Sequence, residues 1–416
     1  MREVVLKTGE RAKKAALQLA TASTREKNEA LRLIAEGLVE KEKVILEANQ
    51  IDLEEADRKG ISPALRDRLL LTEARIREMA QGLREVIELK DPVGEVVAGW
   101  KIPNGLEIKK VRVPLGVVAM IYEARPNVTV DAAGLCLKSG NAVILRGSSV
   151  AWNSNLALTS IIREALSQTR LPADSVQYLE DPSHEAAQDL MQLVGYIDVL
   201  IPRGGEALIR STIENAKVPV IETGVGNCHL YIDETADLEM AKKIVINAKC
   251  QRPGVCNAAE TLLVHASVAE KFLPVIGEAL KERGVEMFGC PRTCQLIPYS
   301  QPATEEDWKT EYLDLKIAIK VVESIKEAID HINTYGTRHS EAIITNDYAN
   351  ARRFQAEVDA AAVYVNASTR FTDGGQFGMG AEIGISTQKL HARGPMSLTE
   401  LTSTKFVIDG SGQIRE

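Results

Sequence analysis

The chain has 416 residues, 50 of them basic and 58 acidic, for a formal charge of −8. At about 150 residues per domain, this length predicts two to three domains, each able to bury its own core. With 45% hydrophobic and 26% charged residues, the composition excludes a disordered chain, a fibrous repeat and a disulfide-stapled miniprotein, and the acidic balance argues against a nucleic-acid duplex or an anionic membrane as partner.

The opening, MREVVLKTGERAKKAALQLATAS, carries charges where a secretion signal needs an apolar core. No apolar run approaches the roughly 18 residues of a membrane span, so a cytoplasmic address is expected. From residue 1 to about 90 the pattern is helical, with Leu31, Ile34, Leu38 and Leu46 at helical spacing. Ser23 with Glu26 predicts a capping box, and Ser62-Pro63 predicts an N-cap followed by proline at the first helical position. Pro103-Asn104-Gly105 then separates two short segments and reads as a hairpin turn.

Beyond it, apolar runs at 117–122, 142–146, 176–180, 197–201 and 219–222 alternate with amphipathic stretches such as Asn153 to Gln168 and His184 to Leu193. Continuous apolar strands joined by helices predict a parallel sheet covered on both faces. A second alternating region starts near Ala241, with strands at 260–265, 317–322 and 361–366, so the fold class is α/β with two units in series. The chain closes with LTSTKFVIDGSGQIRE, a strand that either pairs across a subunit boundary or frays.

Parallel sheets bind phosphates at helix N-termini beyond the carboxyl ends of their strands. The three-glycine dinucleotide fingerprint is absent, since Gly224-Val225-Gly226 precedes a strand, HLYIDE. Arg146-Gly147-Ser148-Ser149 and Arg203-Gly204-Gly205 are the candidate phosphate turns, each with the alternative of an ordinary strand-to-helix connection. Among the six cysteines, Cys136 and Cys228 read as core, and the Cys290–Cys294 pair lacks the second pair that a zinc site needs, so no metal is expected. Cys256 lies after the Pro253-Gly254 break, in a short connection before the strand ETLLVH, where a thiol could meet a substrate or serve as filler.

The segment PLGVVAMIYEARPNVTVDAAGLCLKSGNAVILRGSS resembles the cofactor-domain segment of the aldehyde dehydrogenase superfamily. AKCQRPGVCNAAETLLVH, VESIKEAIDHINTYGTRHSEAI and HARGPMSLTELTSTKF narrow the resemblance to the gamma-glutamyl phosphate reductase family, over nearly the whole chain. The resemblance implies an NADPH-dependent reduction of L-glutamyl 5-phosphate to L-glutamate 5-semialdehyde and phosphate, in proline biosynthesis. Cys256 matches the nucleophile that forms a thioester, and Asn127 the amide that holds the oxyanion, with an N-cap role as its plainer alternative. Arg252 is a nearby cation or an ion-pair partner.

Where NAD-using members have Lys-Pro-Ser-Glu, this chain has Arg146-Gly147-Ser148-Ser149, which loses the glutamate that repels a 2′-phosphate and adds a guanidinium suited to one. That implies NADPH/NADP as cofactor. Glu311 matches loosely the glutamate on the nicotinamide ribose. Glu222 lines up roughly with the superfamily's general base and is expected to line the site. His391, Arg393 and Arg370 are candidates for the glutamyl charges, while His331 and His339 are expected to be structural.

By resemblance, residues 1–97 and 114–226 form the cofactor domain, 227–385 the catalytic domain, and 98–113 with 386–416 a small β oligomerisation unit. A homodimer or a higher even oligomer is expected, with glutamate 5-kinase a candidate partner. The alternative activity is a phosphate-independent, oxidising aldehyde dehydrogenase acting on a semialdehyde. A third reading is a noncatalytic protein of the same fold, against which Cys256, Asn127 and Arg146 together argue.

Overall fold

Five helices open the chain in the computed structural model, which describes residues 1–415: α1 (Glu3–Leu19), α2 (Thr24–Glu40), α3 (Glu42–Arg58), α4 (Pro63–Leu69) and α5 (Glu73–Glu88). The predicted capping box starts α2: the Ser23 hydroxyl accepts from the Glu26 amide, and the Glu26 carboxylate accepts from the Ser23 amide at 2.9 Å. Ser62 likewise caps α4. Small and aliphatic residues at helical spacing, Ala30, Leu31, Ile34, Ala35 and Leu38, put one face of α2 in the core.

The chain continues through β1 (Val96–Lys101), β2 (Glu107–Pro114), β3 (Val117–Tyr122), α6 (Pro126–Lys138), β4 (Ala142–Gly147), α7 (Trp152–Ser167), β5 (Val176–Tyr178), α8 (His184–Met191), β6 (Val199–Arg203) and α9 (Glu206–Asn215). Next come β7 (Cys228–Ile232), α10 (Leu238–Cys250), β8 (Ala259–His265), α11 (Ala266–Lys281), β9 (Glu286–Gly289), α12 (Pro291–Leu296), β10 (Gln301–Pro302) and β11 (Lys316–Val322). The last elements are α13 (Ile325–Tyr335), β12 (Ser340–Ile344), α14 (Tyr348–Glu357), β13 (Ala362–Val365), β14 (Gly384–Ser386), β15 (Gly394–Met396) and β16 (Thr402–Asp409).

Two units result. The first comprises Met1–Thr223, Gly378–Gly384 and the stretch from Met396 onward. Its parallel sheet has the order β5-β4-β3-β6, and every residue of β3 and β4 is buried, as their unbroken apolar runs require. The run at 219–222 is not a strand. It makes one isolated bridge, Val220 to Leu200, because Pro219 has no N–H to extend a ladder. β1 and β2 form the predicted hairpin, with Gly105 at φ +95° in its turn. β16 is not frayed: it pairs antiparallel with β2 of its own chain over Thr402–Asp409.

The second unit comprises Gly224–Phe377 and Ile385–Pro395. Residues 385–395 thus group with the second parallel sheet, whereas β16 and the hairpin group with the first. That sheet runs β10-β9-β11-β8-β7-β12-β13. Alternate side chains feed its two cores: Leu230, Leu262 and Ala342 pack with α10 and α11, while Tyr231, Leu263 and Ile343 pack with α13 and α14. No described helix is long and apolar enough to cross a membrane.

Candidate active site

In the second unit, α10 stops at Cys250 and β8 starts at Ala259, leaving a loop that carries half-buried Cys256. Its path is fixed from below by Gly226. A Cβ on Gly226 would fall 1.5 Å from the Cys256 carbonyl oxygen, so only glycine lets the two backbones meet. The Gly224-Val225-Gly226 pair therefore serves close packing, with the Thr387 side chain filling the space beside Gly224. The buried Cys228 thiol donates to the Cys256 carbonyl at 3.2 Å, and burial pushes that thiol well above its usual range, as befits a structural cysteine.

The C-terminal side of the loop is fixed through Asn257. Its carbonyl accepts from Thr369 Oγ1 at 2.7 Å, and its amide Nδ2 donates to the Thr372 carbonyl at 2.8 Å. Arg370, in the same 3₁₀ turn (Thr369–Phe371), donates from Nε to Gln251 Oε1 at 2.8 Å and from Nη1 to Asn257 Oδ1. Arg370 was expected to bind substrate, but its guanidinium joins the two ends of the cysteine loop instead. Burial and the Arg252 charge pull its pKa down, while Cys256 and Asp373 act in the opposite direction. Arg252 itself is exposed.

Beneath the loop, Lys249 Nζ and Glu260 Oε2 form a fully buried ion pair at 2.6 Å. Burial pushes Glu260 up to about 7, against the pull of Lys249, and the nearby Glu311 charge adds to the rise. Glu311 Oε1 accepts from the Gly226 amide at 2.7 Å, so this candidate cofactor residue supports the loop's floor.

Arg393 is held by Asp359 at 2.8 Å, together with Lys389 at 2.9 Å and Arg338 at 3.7 Å. Lys389 and Arg393 keep the Asp359 carboxyl below its usual range. His391 is exposed, with φ +67°. His331 is buried against Trp308, Tyr335 and His229, and burial drives it to about 2 and His229 to about 3, so both rings stay neutral. His339 Nδ1 meets Ser340 Oγ at 2.8 Å in the interior. Among the described residues, no group of His, Cys, Asp and Glu is arranged to hold a metal.

In the first unit, the turns after β3, β4 and β6 lie at the carboxyl ends of three neighbouring strands. Arg146 is buried, and its Nη atoms donate to the carbonyls of Gly147, Pro182 and Ser183 at 3.3, 2.9 and 3.2 Å. The open fork expected for a phosphate is therefore largely occupied by backbone. Its Nε remains buried without a hydrogen-bond partner. Gly147 leaves room for the Asn155 amide, which a Cβ would approach to 2.2 Å. Ser148 caps the short turn ahead of α7, and Ser149 is exposed.

In the first turn of α7, beyond the Arg146–Ser149 turn, the Asp52 carboxylate receives the amides of Asn153 and Ser154 at 3.0 and 2.8 Å. Glu123 Oε1 likewise receives the Gly205 amide at 2.9 Å and fills the space beside Gly204. No sequence motif pointed to Asp52 or Glu123. Asn127 is exposed in the first turn of α6, where Arg125 is the N-cap, so the capping alternative for Asn127 is not met. Its Nδ2 donates to Asp131 at 3.0 Å. Loss of solvent pushes the Asp131 carboxyl up to about 6, opposed by Asn127 and Arg203. Glu222 is half-buried.

The aldehyde dehydrogenase family profile matches residues 2–287. Over 411 residues the chain is 62% identical to the gamma-glutamyl phosphate reductase of Carboxydothermus hydrogenoformans, covering 99% of each chain. It superposes on the crystal structure of the gamma-glutamyl phosphate reductase of Thermotoga maritima with a TM-score of 0.98, at 55% identity and 100% coverage of both chains. The chain belongs to the gamma-glutamyl phosphate reductases of the aldehyde dehydrogenase family. An acetylating aldehyde dehydrogenase from Geobacillus thermoglucosidasius, 18% identical, shares the fold with a TM-score of 0.70 over 99% of this chain and 97% of its own. As a gamma-glutamyl phosphate reductase, the chain is an oxidoreductase whose candidate nucleophile sits on a loop held at both ends.

Proposed function

We propose that this chain reduces L-glutamyl 5-phosphate to L-glutamate 5-semialdehyde and phosphate in proline biosynthesis, with NADPH as reductant and Cys256 as nucleophile. The observation that carries the reading is the loop itself: a half-buried thiol whose carbonyl rests on Gly226 and whose successor Asn257 is anchored on two sides. Full-length identity to named reductases supports the substrate.

In this mechanism the Cys256 thiolate adds to the acyl carbon, the C–O bond to phosphate breaks, and a thioester remains on sulfur. By the family resemblance Asn127 is the oxyanion donor; Asp131 accepts from its Nδ2 at 3.0 Å, and one such donor contributes about 3 kcal/mol to the transition state. When bound, a nicotinamide dinucleotide would supply the hydride. When the C–S bond breaks, the thiolate is regenerated and the semialdehyde leaves. Glu222 lines the site in this reading, because a base that activated water would hydrolyse the thioester.

The residues present fit that dinucleotide. Arg146 Nε is a buried donor lacking an acceptor, which a ribose or phosphate oxygen would supply, and Ser148, Ser149, Gly204 and Gly205 border the same strand ends. NADPH is favoured over NADH because exposed Ser149 replaces a carboxylate that would repel a 2′-phosphate. Arg252 and His391, both exposed, are proposed for the glutamyl charges, whereas Arg393 is held by Asp359.

We assign the chain to the cytoplasm and to a homodimer or higher even oligomer. Exposed Trp100 and Phe406, edge-to-face at 6.2 Å on the small sheet, support the oligomer. Glutamate 5-kinase is the proposed donor of the labile substrate.

The test is the reverse reaction: purified protein, glutamate 5-semialdehyde, NADP⁺ and inorganic phosphate, followed by absorbance of the reduced nicotinamide. Reduction that requires phosphate is expected, and faster with NADP⁺ than NAD⁺. Equal reduction without phosphate would make water the acceptor, restore Glu222 as base and overturn the proposal in favour of an oxidising aldehyde dehydrogenase.

A further inference from the structure

We propose that Arg370 is the positioning residue of the cysteine loop and the cation that holds Cys256 as a thiolate. The inference rests on the reading of Cys256 as nucleophile and deepens it. A free thiol is mostly protonated at neutral pH, so a nucleophilic cysteine needs a neighbouring positive charge or an N-terminal helix dipole. Cys256 has no helix following it: β8 begins three residues on, at Ala259. A side-chain cation is the other source.

Arg252 is near in sequence but exposed, where water screens it. Arg370 comes from a turn more than a hundred positions downstream, and its guanidinium is tied to Gln251 at the loop's start and to Asn257 immediately after the cysteine. The planar fork suits this two-ended contact, as a lysine point charge does not. The turn is in its own place because Thr369 holds the Asn257 carbonyl and Thr372 accepts the Asn257 amide. Half-burial preserves the strength of the charge, and Cys256 and Asp373 both act electrostatically on Arg370. The ionisable groups around the loop include the Asp373 carboxylate, which shares the Arg370 charge, the buried Cys228 thiol with its raised pKa, and Glu311, which accepts from the Gly226 amide.

The test is the rate of Cys256 alkylation by iodoacetamide between pH 5 and 10 in the full chain, with the labelled peptide assigned by mass against Cys256→Ala. In Arg370→Gln the profile should move to higher pH, and once its midpoint lies above pH 7 the rate at pH 7 should fall about tenfold for each further pH unit. Arg370→Lys should keep the wild-type profile, because it keeps the charge, while its turnover falls for want of the fork. Gln251→Glu retains the exposed acceptor and sets an anion beside the guanidinium, so it should move the profile in the same direction as Arg370→Gln without disturbing the fold.

An unmoved profile in either folded variant overturns the proposal. So does an equal movement in Arg370→Lys, which would make loop geometry the cause, and so does a Cys256 that fails to react anywhere in the range. Failure of the parent reading is separate: it would show as turnover surviving in Cys256→Ala, whatever the alkylation profiles do.

Discussion

Replacing Gly226 with alanine tests whether the floor of the cysteine loop sets catalysis. The new Cβ would lie 1.5 Å from the Cys256 carbonyl oxygen, 2.3 Å from its carbonyl carbon and 2.7 Å from its Cα. All three atoms are backbone, so no rotamer relieves the clash. Ordinary contact needs about 3.5 Å, so the two segments must separate by about 2 Å. They are held together close by, since Cys228 pairs with Ala259 where β7 meets β8. The separation must therefore fall on the loop, breaking the 3.2 Å contact from the Cys228 thiol and straining the 2.7 Å bond from the Gly226 amide to Glu311.

Overpacking of this kind costs about 1–3 kcal/mol of stability. A nucleophile displaced by about 1 Å loses on the order of 100-fold in rate, equivalent to about 2.7 kcal/mol in the barrier. Gly226→Ala should thus lower kcat/KM at least about 100-fold in the phosphate-dependent reverse assay while the far-UV circular dichroism is retained. Gly82→Ala is the control. That glycine is inside α5 with nothing within 4 Å of a new Cβ, so alanine should raise stability by about 0.5–1 kcal/mol and leave turnover alone. Wild-type kcat/KM in Gly226→Ala would refute the argument that the loop's position depends on this contact.

Cys256→Ala should abolish turnover while leaving nicotinamide binding unchanged by fluorescence titration; retained turnover would remove the thioester. Ser149→Glu should raise the KM for NADPH about tenfold or more relative to that for NADH, by setting a carboxylate against a 2′-phosphate. Lys249→Met should destabilise the fold in denaturant unfolding by removing the partner of buried Glu260, whose carboxyl then takes a proton, and Lys249→Met with Glu260→Leu should recover most of the loss. His331, held at about 2 in the fold and near 6.5 when unfolded, gives stability that is complete above pH 6.5 and is lost as pH falls. His331→Phe should therefore flatten the acid limb of the stability curve by up to about 1.4 kcal/mol per pH unit between pH 6 and 4.

Much of the fold is legible in the sequence because its signals are local. Apolar runs at 117–122 and 142–146 become the fully buried β3 and β4, and Ser23 with Glu26 forms the capping box within one turn. Two of the errors also have local causes. PVIE has the apolarity of a strand, but Pro219 cannot donate, so it reduces to a bridge. β12 was hidden inside a helix-and-turn signature, since SEAII is short and begins with two polar residues, although it lies between β7 and β13. Amides that look free at or just beyond a glycine turn were taken by Asp52 and Glu123, carboxylates from elsewhere in the chain that no spacing rule connects to those turns.

The same distinction governs the candidate nucleophile. Local sequence presents Cys256 only as a thiol after a Pro-Gly break, where filler is the plainer reading and chemistry the alternative. What separates the two is supplied by partners 28 positions before it, at Cys228, and by Arg370 and Thr369, 113 and 112 positions beyond Asn257. A filler cysteine has no need of a glycine pressed to its carbonyl and a guanidinium tied to both ends of its loop. On the proposed reading such contacts restrict backbone freedom and oppose protonation of sulfur, which a nucleophile requires and a core thiol such as Cys136, pushed far up by burial, does not. The proposed catalysis therefore depends on tertiary contacts converging on one loop.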